Sequence, residues 1–386
     1  MKMDFSNVLS DPLTLALLVV MAAGLVVLVT YYALMYFRVG RHKCMKADTG
    51  NGKILPPVSV VLVSQNDGEW LRNNLMYLLE QDYPDFEVVV VDYLSTDDTQ
   101  FVLQILTPNY NRLKVVTIRE DVNGFQGKKW PLSLGIKSAK NDLLLFADPD
   151  CMPQDLSSFC WIREMVAGYI HKHIDVVLGY CAVQHRPGLL NLLQQYDNLD
   201  YSAEYLGAAM LHHPYTGSGR NLSYRRSLFM KNNGFIYHYY EPEGTDDIFL
   251  NQNCKRRNTS VALARGAYVS VAPQPSCRAW RVMRKRRSVT HRYYRFATKL
   301  TRLARPLSVL LFYAAAVLLL VLGTFPWPVL AGAVAVKLAW QIVAMLQAAR
   351  RLDAGTAAAW LSPLLEIYFL ISNTFLRIMP LSNKNQ

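Results

Sequence analysis

Asp148 and Asp150 stand one residue apart, with Pro149 between them, directly after Leu143-Leu144-Leu145-Phe146-Ala147. Four apolar residues in a row, Leu143–Phe146, with no polar alternation predict a short buried strand. In an open α/β sheet, the carboxyl end of a strand is where ligands bind. A hard divalent cation can use both carboxylates, one directly and one through water. Mg²⁺ needs few protein oxygens because it keeps waters and phosphates. On its own the triplet reads equally well as a solvated Asp-Pro-Asp turn.

Two more acidic points follow strand-like segments or turns: Asp92, after Phe86–Val91, and Asp246 with Asp247, in Glu241-Pro242-Glu243-Gly244-Thr245-Asp246-Asp247. A basic group, Arg278, Trp280, Arg281, Arg284, Lys285, Arg286 and Arg287, lies further on. A carboxylate-held metal can bridge a diphosphate, and a free carboxylate can take a proton from an acceptor hydroxyl. A cation can neutralise a leaving phosphate. Together these are the parts of a sugar transfer from a nucleotide donor. Each has a plainer role too. Asp92 can simply end its strand, Asp246 and Asp247 can be the acidic start of a helix, and the basic run can face lipid or set topology.

Other chemistry-bearing residues carry less. His171 with His173, and His212 with His213, lack a matching ligand set and read as solvated surface or partner contacts. Gly217-Ser218-Gly219 has no P-loop lysine and does not follow the first strand, so it reads as close backbone approach to a ligand. The six cysteines (44, 151, 160, 181, 254, 277) form no CxxC pair and read as free thiols.

Positioning falls to alternating elements. Val58–Val63 predicts a first strand, residues 69–80 a helix that Tyr83-Pro84 ends, and Phe86–Val91 a second strand. Ser95 or Thr96 is placed to cap the next helix, to about Leu106. Leu113–Ile118 predicts a third strand, and 129–139 a short helix before the Asp pair. This alternation predicts a largely parallel sheet with crossover helices. Val176–Tyr180, Val261–Ala264 and Tyr268–Val271 read as further strands, and 188–211 as a long helix.

Over 386 residues the hydrophobic content is 52%, and it is concentrated. Residues 13–37, 306–323 and 327–349 each hold a run long enough to cross a hydrocarbon core of about 30 Å. A run at 357–379 carries Glu366 and Arg377, and either spans or lies in the interface. Arg38, Arg41 and Lys43 close the first run, so it reads as a retained span with 38–305 in the cytoplasm. The net charge of +12 sits largely in 278–305, before a membrane run, which favours membrane lipids over nucleic acid. The expected plan is an N-terminal segment 1–10, a span 11–37, a linker 38–53, an α/β domain 54–276, a basic segment 277–305, two spans 306–349, and an apolar helix with tail 350–386.

In order, Val58–Asn66, Val88–Thr99, Gly127-Lys128, Asp148-Pro149-Asp150, Gly219–Arg225 and Thr245-Asp246-Asp247 resemble the membrane-bound family 2 glycosyltransferases of GT-A fold. The resemblance covers about 54–300. It implies a nucleotide-sugar donor, UDP-sugar favoured, and a lipid-linked or membrane-near glycan acceptor. Mg²⁺ or Mn²⁺ is implied as cofactor and a bacterial inner membrane as location. By position, Asp92 matches a nucleotide-base contact, Asp148 and Asp150 the D-x-D that binds the diphosphate, Asp150 through the metal, and Lys128 a slot beside the donor. Asp247 matches the catalytic base of a T-E-D-like motif, with Asp246 in the glutamate place. The family often carries Q-x-x-R-W near the membrane. Here Arg286 keeps the arginine, with Trp280 and Tyr293-Tyr294 around it, but the glutamine and tryptophan are absent, which suits single transfer better than polymer synthesis. A nucleotidyltransferase and a non-catalytic scaffold are the rival readings.

Overall fold

The computed structural model describes residues 11–43, 55–120, 127–169, 173–255 and 257–378. Two compact units divide the chain: one draws on Met1–Arg41 and Arg295–Gln386, the other on His42–Tyr294.

The second unit is built on β1 (Val58–Ser64), β2 (Phe86–Tyr93), β3 (Leu113–Ile118), β4 (Leu143–Phe146), β5 (Met152–Pro153), β6 (Val176–Leu178), β7 (Cys181–Val183), β8 (Leu222–Arg225), β9 (Thr259–Val261) and β10 (Val269–Val271). Seven strands form one sheet in the order β3-β2-β1-β4-β8-β6-β9, and β5-β10-β7 form a second. From β3 to β4 the pairing is parallel, as the alternation of strands and helices implies. β8 then enters antiparallel to both β4 and β6, which makes the sheet mixed.

Every residue of β1, β2 and β4 is buried. Such strands must be apolar on both faces, and each fully buried Val or Leu contributes roughly 1.5–3 kcal/mol. Leu71, Leu75, Leu78 and Leu79 of the helix Gly68–Leu79 and Val102 and Leu103 of Thr99–Leu106 pack on the face that shows Val60, Leu62, Val88, Val90 and Leu145. Buried Glu87 is satisfied by the Ser59 hydroxyl and the Lys140 N–H, each at 2.6 Å.

Local expectations shift in two places. Ser95 does not cap the helix Thr99–Leu106: its hydroxyl accepts from Asn66 N–H, and Thr96 N–H donates to the Asn66 side chain. Asp97 instead accepts from Thr99 N–H and, from the neighbouring helix, Gly68 N–H. The loops leaving two adjacent parallel strands meet, so polar groups expected to act locally bond across. The strand expected at Val261–Ala264 lies at Thr259–Val261, and Ala262 and Leu263 are buried without extending it.

Among the described residues, the other unit holds three helices long and apolar enough to cross a membrane: Pro12–Gly40, Phe296–Leu322 and Trp327–Arg351. Asp11 starts the first by accepting from Thr14 N–H at 3.1 Å, with Pro12 in the first turn. The second begins ten residues before the apolar run and carries Pro306 inside. Charge alone masks that start, because the backbone of 296–305 is already helical. The last apolar run is broken at Leu361-Ser362-Pro363 into Thr356–Trp360 and Ser362–Ile378, since proline restricts the residue before it and opens helices well. Glu366 is buried and bonded to Arg305, Lys337 and the Tyr32 hydroxyl. A carboxylate among apolar helices needs such partners.

Candidate active site

β2, β1 and β4 are parallel neighbours, so their carboxyl ends open on one edge of the sheet. Asp92 stands there in register with Ser64. It is 1% exposed, and neither carboxylate oxygen accepts a hydrogen bond from a described residue. Two residues beyond β4, Asp148 Oδ1 accepts from Lys128 Nζ at 2.9 Å. Arg220 Nε lies 3.4 Å from Asp148 Oδ2, and its terminal nitrogen donates to Asp150 Oδ2 at 3.0 Å. Burial pushes the Asp148 carboxyl up, but Lys128 and Arg220 together outweigh it and hold it below the usual value.

The acidic turn comes to the same place through the residue before Arg220. Gly219 N–H donates to Asp246 Oδ2 at 2.8 Å. A Cβ at Gly219 would stand 2.9 Å from that oxygen, which is why this position wants glycine. Asp247 Oδ1 accepts from Ile248 N–H at 2.7 Å, and Oδ2 accepts from the hydroxyls of Thr290 and Tyr294. Burial, then the charge of Asp247, raises Asp246 to about 6. Asp247 is also raised by burial, against the opposing pull of the Thr290 hydroxyl, the Ile248 N–H and the Tyr294 hydroxyl. A carboxylate lifted towards neutrality and held by oriented donors is suited to accept a proton.

Lys128 and Lys129 bind different partners. Lys129 is buried, and its Nζ donates to the carbonyls of His238 and Glu241, each at 2.6 Å. Burial lowers it to about 8. Just before, Gly127 has φ +94, and a Cβ there would meet the Pro242 carbonyl oxygen at 2.2 Å. The stretch that carries Lys128 to Asp148 is therefore clamped to the turn that carries Asp246 and Asp247.

One expected residue, Trp280, is turned away from these carboxylates. Trp280 is 2% exposed, and its indole N–H points to Asp197 of the helix Leu189–Met210 at 3.4 Å. It offers no surface to a diphosphate. With Arg284 and Arg287, which also pair with Asp197, it forms the inner face of the helix Cys277–Val289. Their i, i+4, i+7 spacing is the signal for that face. Arg286 is on another face of that helix, exposed, with its Nε 3.4 Å from Glu243 in the acidic turn that leads to Asp246 and Asp247. His171 lies outside the described residues, and His173, His212 and His213 are exposed. Arg220 was not singled out by residue type. The local signals were the glycines before it, Asn221 after it, and its place in Gly219–Arg225, one of the segments that carry the family resemblance.

Among the described residues no group of three His, Cys, Asp or Glu side chains could hold a metal by itself. The carboxylates of Asp148 and Asp150 fit a Mg²⁺-like cation that takes its remaining oxygens from a diphosphate and water.

A mixed sheet carries carboxylates at adjacent strand ends, joined through one Gly-Arg pair to a second acidic turn. Residues 56–290 match the family described as Glycosyltransferase like family 2, and the chain belongs to it. It is a glycosyltransferase of GT-A fold with flanking apolar helices. The poly(ribitol-phosphate) beta-N-acetylglucosaminyltransferase TarS of Staphylococcus aureus is 33% identical over 123 residues, 31% of this chain and 20% of that protein. The GalNAc(5)-diNAcBac-PP-undecaprenol beta-1,3-glucosyltransferase of Campylobacter jejuni is 26% identical over 135 residues, 35% of this chain and 41% of that protein. The matched stretches thus span about a fifth to two-fifths of these relatives. The mannosyltransferase PcManGT of Pyrobaculum calidifontis, solved with GDP-Man and Mn²⁺, superposes with a TM-score of 0.58 at 19% identity, covering 91% of this chain and 98% of that one. That likeness extends the shared fold over nearly the whole length.

Proposed function

We propose that this chain is a membrane-anchored, inverting glycosyltransferase that moves a sugar from a nucleotide-diphosphate donor, UDP-sugar favoured, to a hydroxyl of a lipid-linked or membrane-near glycan. The observation that carries the reading is that Gly219 and Arg220, consecutive residues, reach the two acidic pairs: the Gly219 N–H binds Asp246, and the Arg220 side chain binds Asp148 and Asp150. This link supports a reading in which donor-side and acceptor-side carboxylates work together.

Asp247 takes the proton of the acceptor hydroxyl as that oxygen attacks the anomeric carbon, from the face opposite the diphosphate. Thr290, Tyr294 and the Ile248 N–H aim the carboxylate. Asp246 fixes the loop to Gly219. Asp148 and Asp150 would hold Mg²⁺ or Mn²⁺, which when bound neutralises charge on the departing diphosphate. Lys128 and Arg220 supply further positive charge there, and Asp92 faces the strand edge where the nucleotide base would sit. One displacement needs no protein nucleophile. A lipid-linked acceptor accords with the three apolar helices and with the Campylobacter relative's name. Arg38 and Arg41, and Arg350 and Arg351, mark the cytoplasmic ends of their helices by charge, as in a bacterial inner-membrane protein.

Purified full-length protein, given a panel of nucleotide sugars with Mg²⁺ or Mn²⁺, is expected to release nucleoside diphosphate from one class of donor. Release of pyrophosphate would instead mark a nucleotidyltransferase, and no turnover with any donor a binding scaffold.

A further inference from the structure

The cation that the family reading expects has a competitor built into the chain. Arg220 lies between Asp148 and Asp150, 3.4 and 3.0 Å from their oxygens, and Lys128 holds the other oxygen of Asp148 at 2.9 Å. Two carboxylates and two cations form a neutral quartet. The Arg220 side chain is 29% exposed and those of Asp148 and Asp150 25% and 24%, so the charges are partly withdrawn from water and screened less than surface pairs. Lys128 is the more exposed partner, at 57%.

We propose that Arg220 gates the D-x-D pair. Without nucleotide it occupies Asp148 and Asp150 and excludes a bare divalent cation. When the cation arrives on a nucleoside diphosphate, Arg220 yields the carboxylates and takes the diphosphate oxygens. Cation binding is then conditional on nucleotide. The proposal rests on the glycosyltransferase reading, in which this pair is the cation site.

Electrostatics give the direction. A bare dication entering the quartet must displace the guanidinium and then sit beside it, like charge against like charge. A cation–diphosphate complex brings anionic oxygens that a planar guanidinium can accept in bidentate fashion, so the displaced group is repaired at once. The movement is confined to the side chain because the backbone is pinned on both sides. Gly219 N–H is bonded to Asp246, and buried Asn221 donates to the carbonyls of Tyr180 and Ala267, at 2.8 and 2.7 Å. A guanidinium is suited to this role because its fork meets two carboxylates at once. An ammonium such as Lys128 meets only Asp148.

Mn²⁺ titration followed by electron paramagnetic resonance, on the full-length protein with and without UDP, and with GDP in parallel, tests this without turnover. Wild type should bind Mn²⁺ about tenfold or more tightly once nucleotide is present. Arg220→Gln should raise nucleotide-free Mn²⁺ affinity by about tenfold and weaken nucleotide binding by a similar factor, as expected for losing a charge-assisted contact. Arg220→Lys keeps the charge and should bind bare Mn²⁺ less tightly than Arg220→Gln, which covers the case in which the glutamine variant folds poorly. Equal Mn²⁺ affinity with and without nucleotide in wild type, or no change in either variant, overturns the gate. Asp150→Asn separates the two failures. If it abolishes a nucleotide-independent Mn²⁺ site, the cation site stands and the gate alone falls. If Mn²⁺ binding ignores this substitution, the cation-site reading falls and takes the gate with it.

Discussion

Lys129 Nζ lies 2.6 Å from the carbonyl oxygen of Glu241, and the same nitrogen holds the carbonyl of His238. The residue that follows Lys128 thus fastens the turn leading into Asp246 and Asp247. Loss of this fastener should loosen the base while leaving the donor side intact. Lys129→Met, which keeps the stem and removes the donors, is expected to lower kcat by roughly tenfold with little change in donor KM. Each carbonyl left without its partner costs about 1–3 kcal/mol, so a lower Tm should accompany the change. A fall in donor affinity with kcat intact would contradict this division of labour.

On the proposed mechanism, Asp247 as the base should set the acid side of the rate profile. Its carboxyl is raised by burial and pulled back by the hydroxyls of Thr290 and Tyr294. A general base works only when ionised, so kcat should fall as pH drops through this raised value. Thr290→Val removes a donor that favours the charged form, and the acid limb should move to higher pH. Tyr294→Phe should act in the same direction. Asp247→Asn should lower kcat by about 10²–10⁴ with nucleotide binding retained.

Asp246 makes the opposite trade between function and stability. Its carboxyl is raised to about 6 by burial and by Asp247. A raised folded-state value contributes stability that is full below the unfolded value, near 3.8, and is lost as pH rises through about 6. At pH 7 the ionised pair therefore costs stability. Asp246→Asn keeps an oxygen for the Gly219 N–H, and should raise Tm at pH 7 by a few degrees, on the order of 1 kcal/mol in a partly exposed group. The gain should vanish at pH 3.5. A Tm difference independent of pH would point to packing instead.

Glu366 anchors the apolar unit. Its carboxylate is shared by Arg305, Lys337 and Tyr32. Glu366→Gln leaves two buried cations facing a neutral amide, and breaking such an arrangement costs about 3–5 kcal/mol. Thermal unfolding in detergent should show a marked loss for this variant. Substituting exposed Trp360 by Ala should change little.

Much of the frame was legible along the chain. Leu143–Phe146 and Leu113–Ile118 fall within the observed strand bounds to the residue, because an unbroken apolar run flanked by turn residues has few ways to bury itself. The three helices long and apolar enough to cross a membrane follow from length and hydropathy in the same way. Asp148 and Asp150 could be placed at a strand end from local pattern alone, and the order of motifs was enough to bring the glycosyltransferase family into view.

Only the folded chain decided which charges meet. Arg220 reaches Asp150 across 70 residues, and nothing in Gly217-Ser218-Gly219-Arg220 announces that its guanidinium lies between two carboxylates. The same basic helix sends Trp280, Arg284 and Arg287 inward to Asp197 and leaves Arg286 outside, a choice made by the face that packs, not by residue type. β8 enters antiparallel beside β4 for a similar reason. Periodicity is a local property and can be read from neighbours in sequence. Ion pairing and strand order depend on contacts between distant segments, and these exist only once the sheet has assembled.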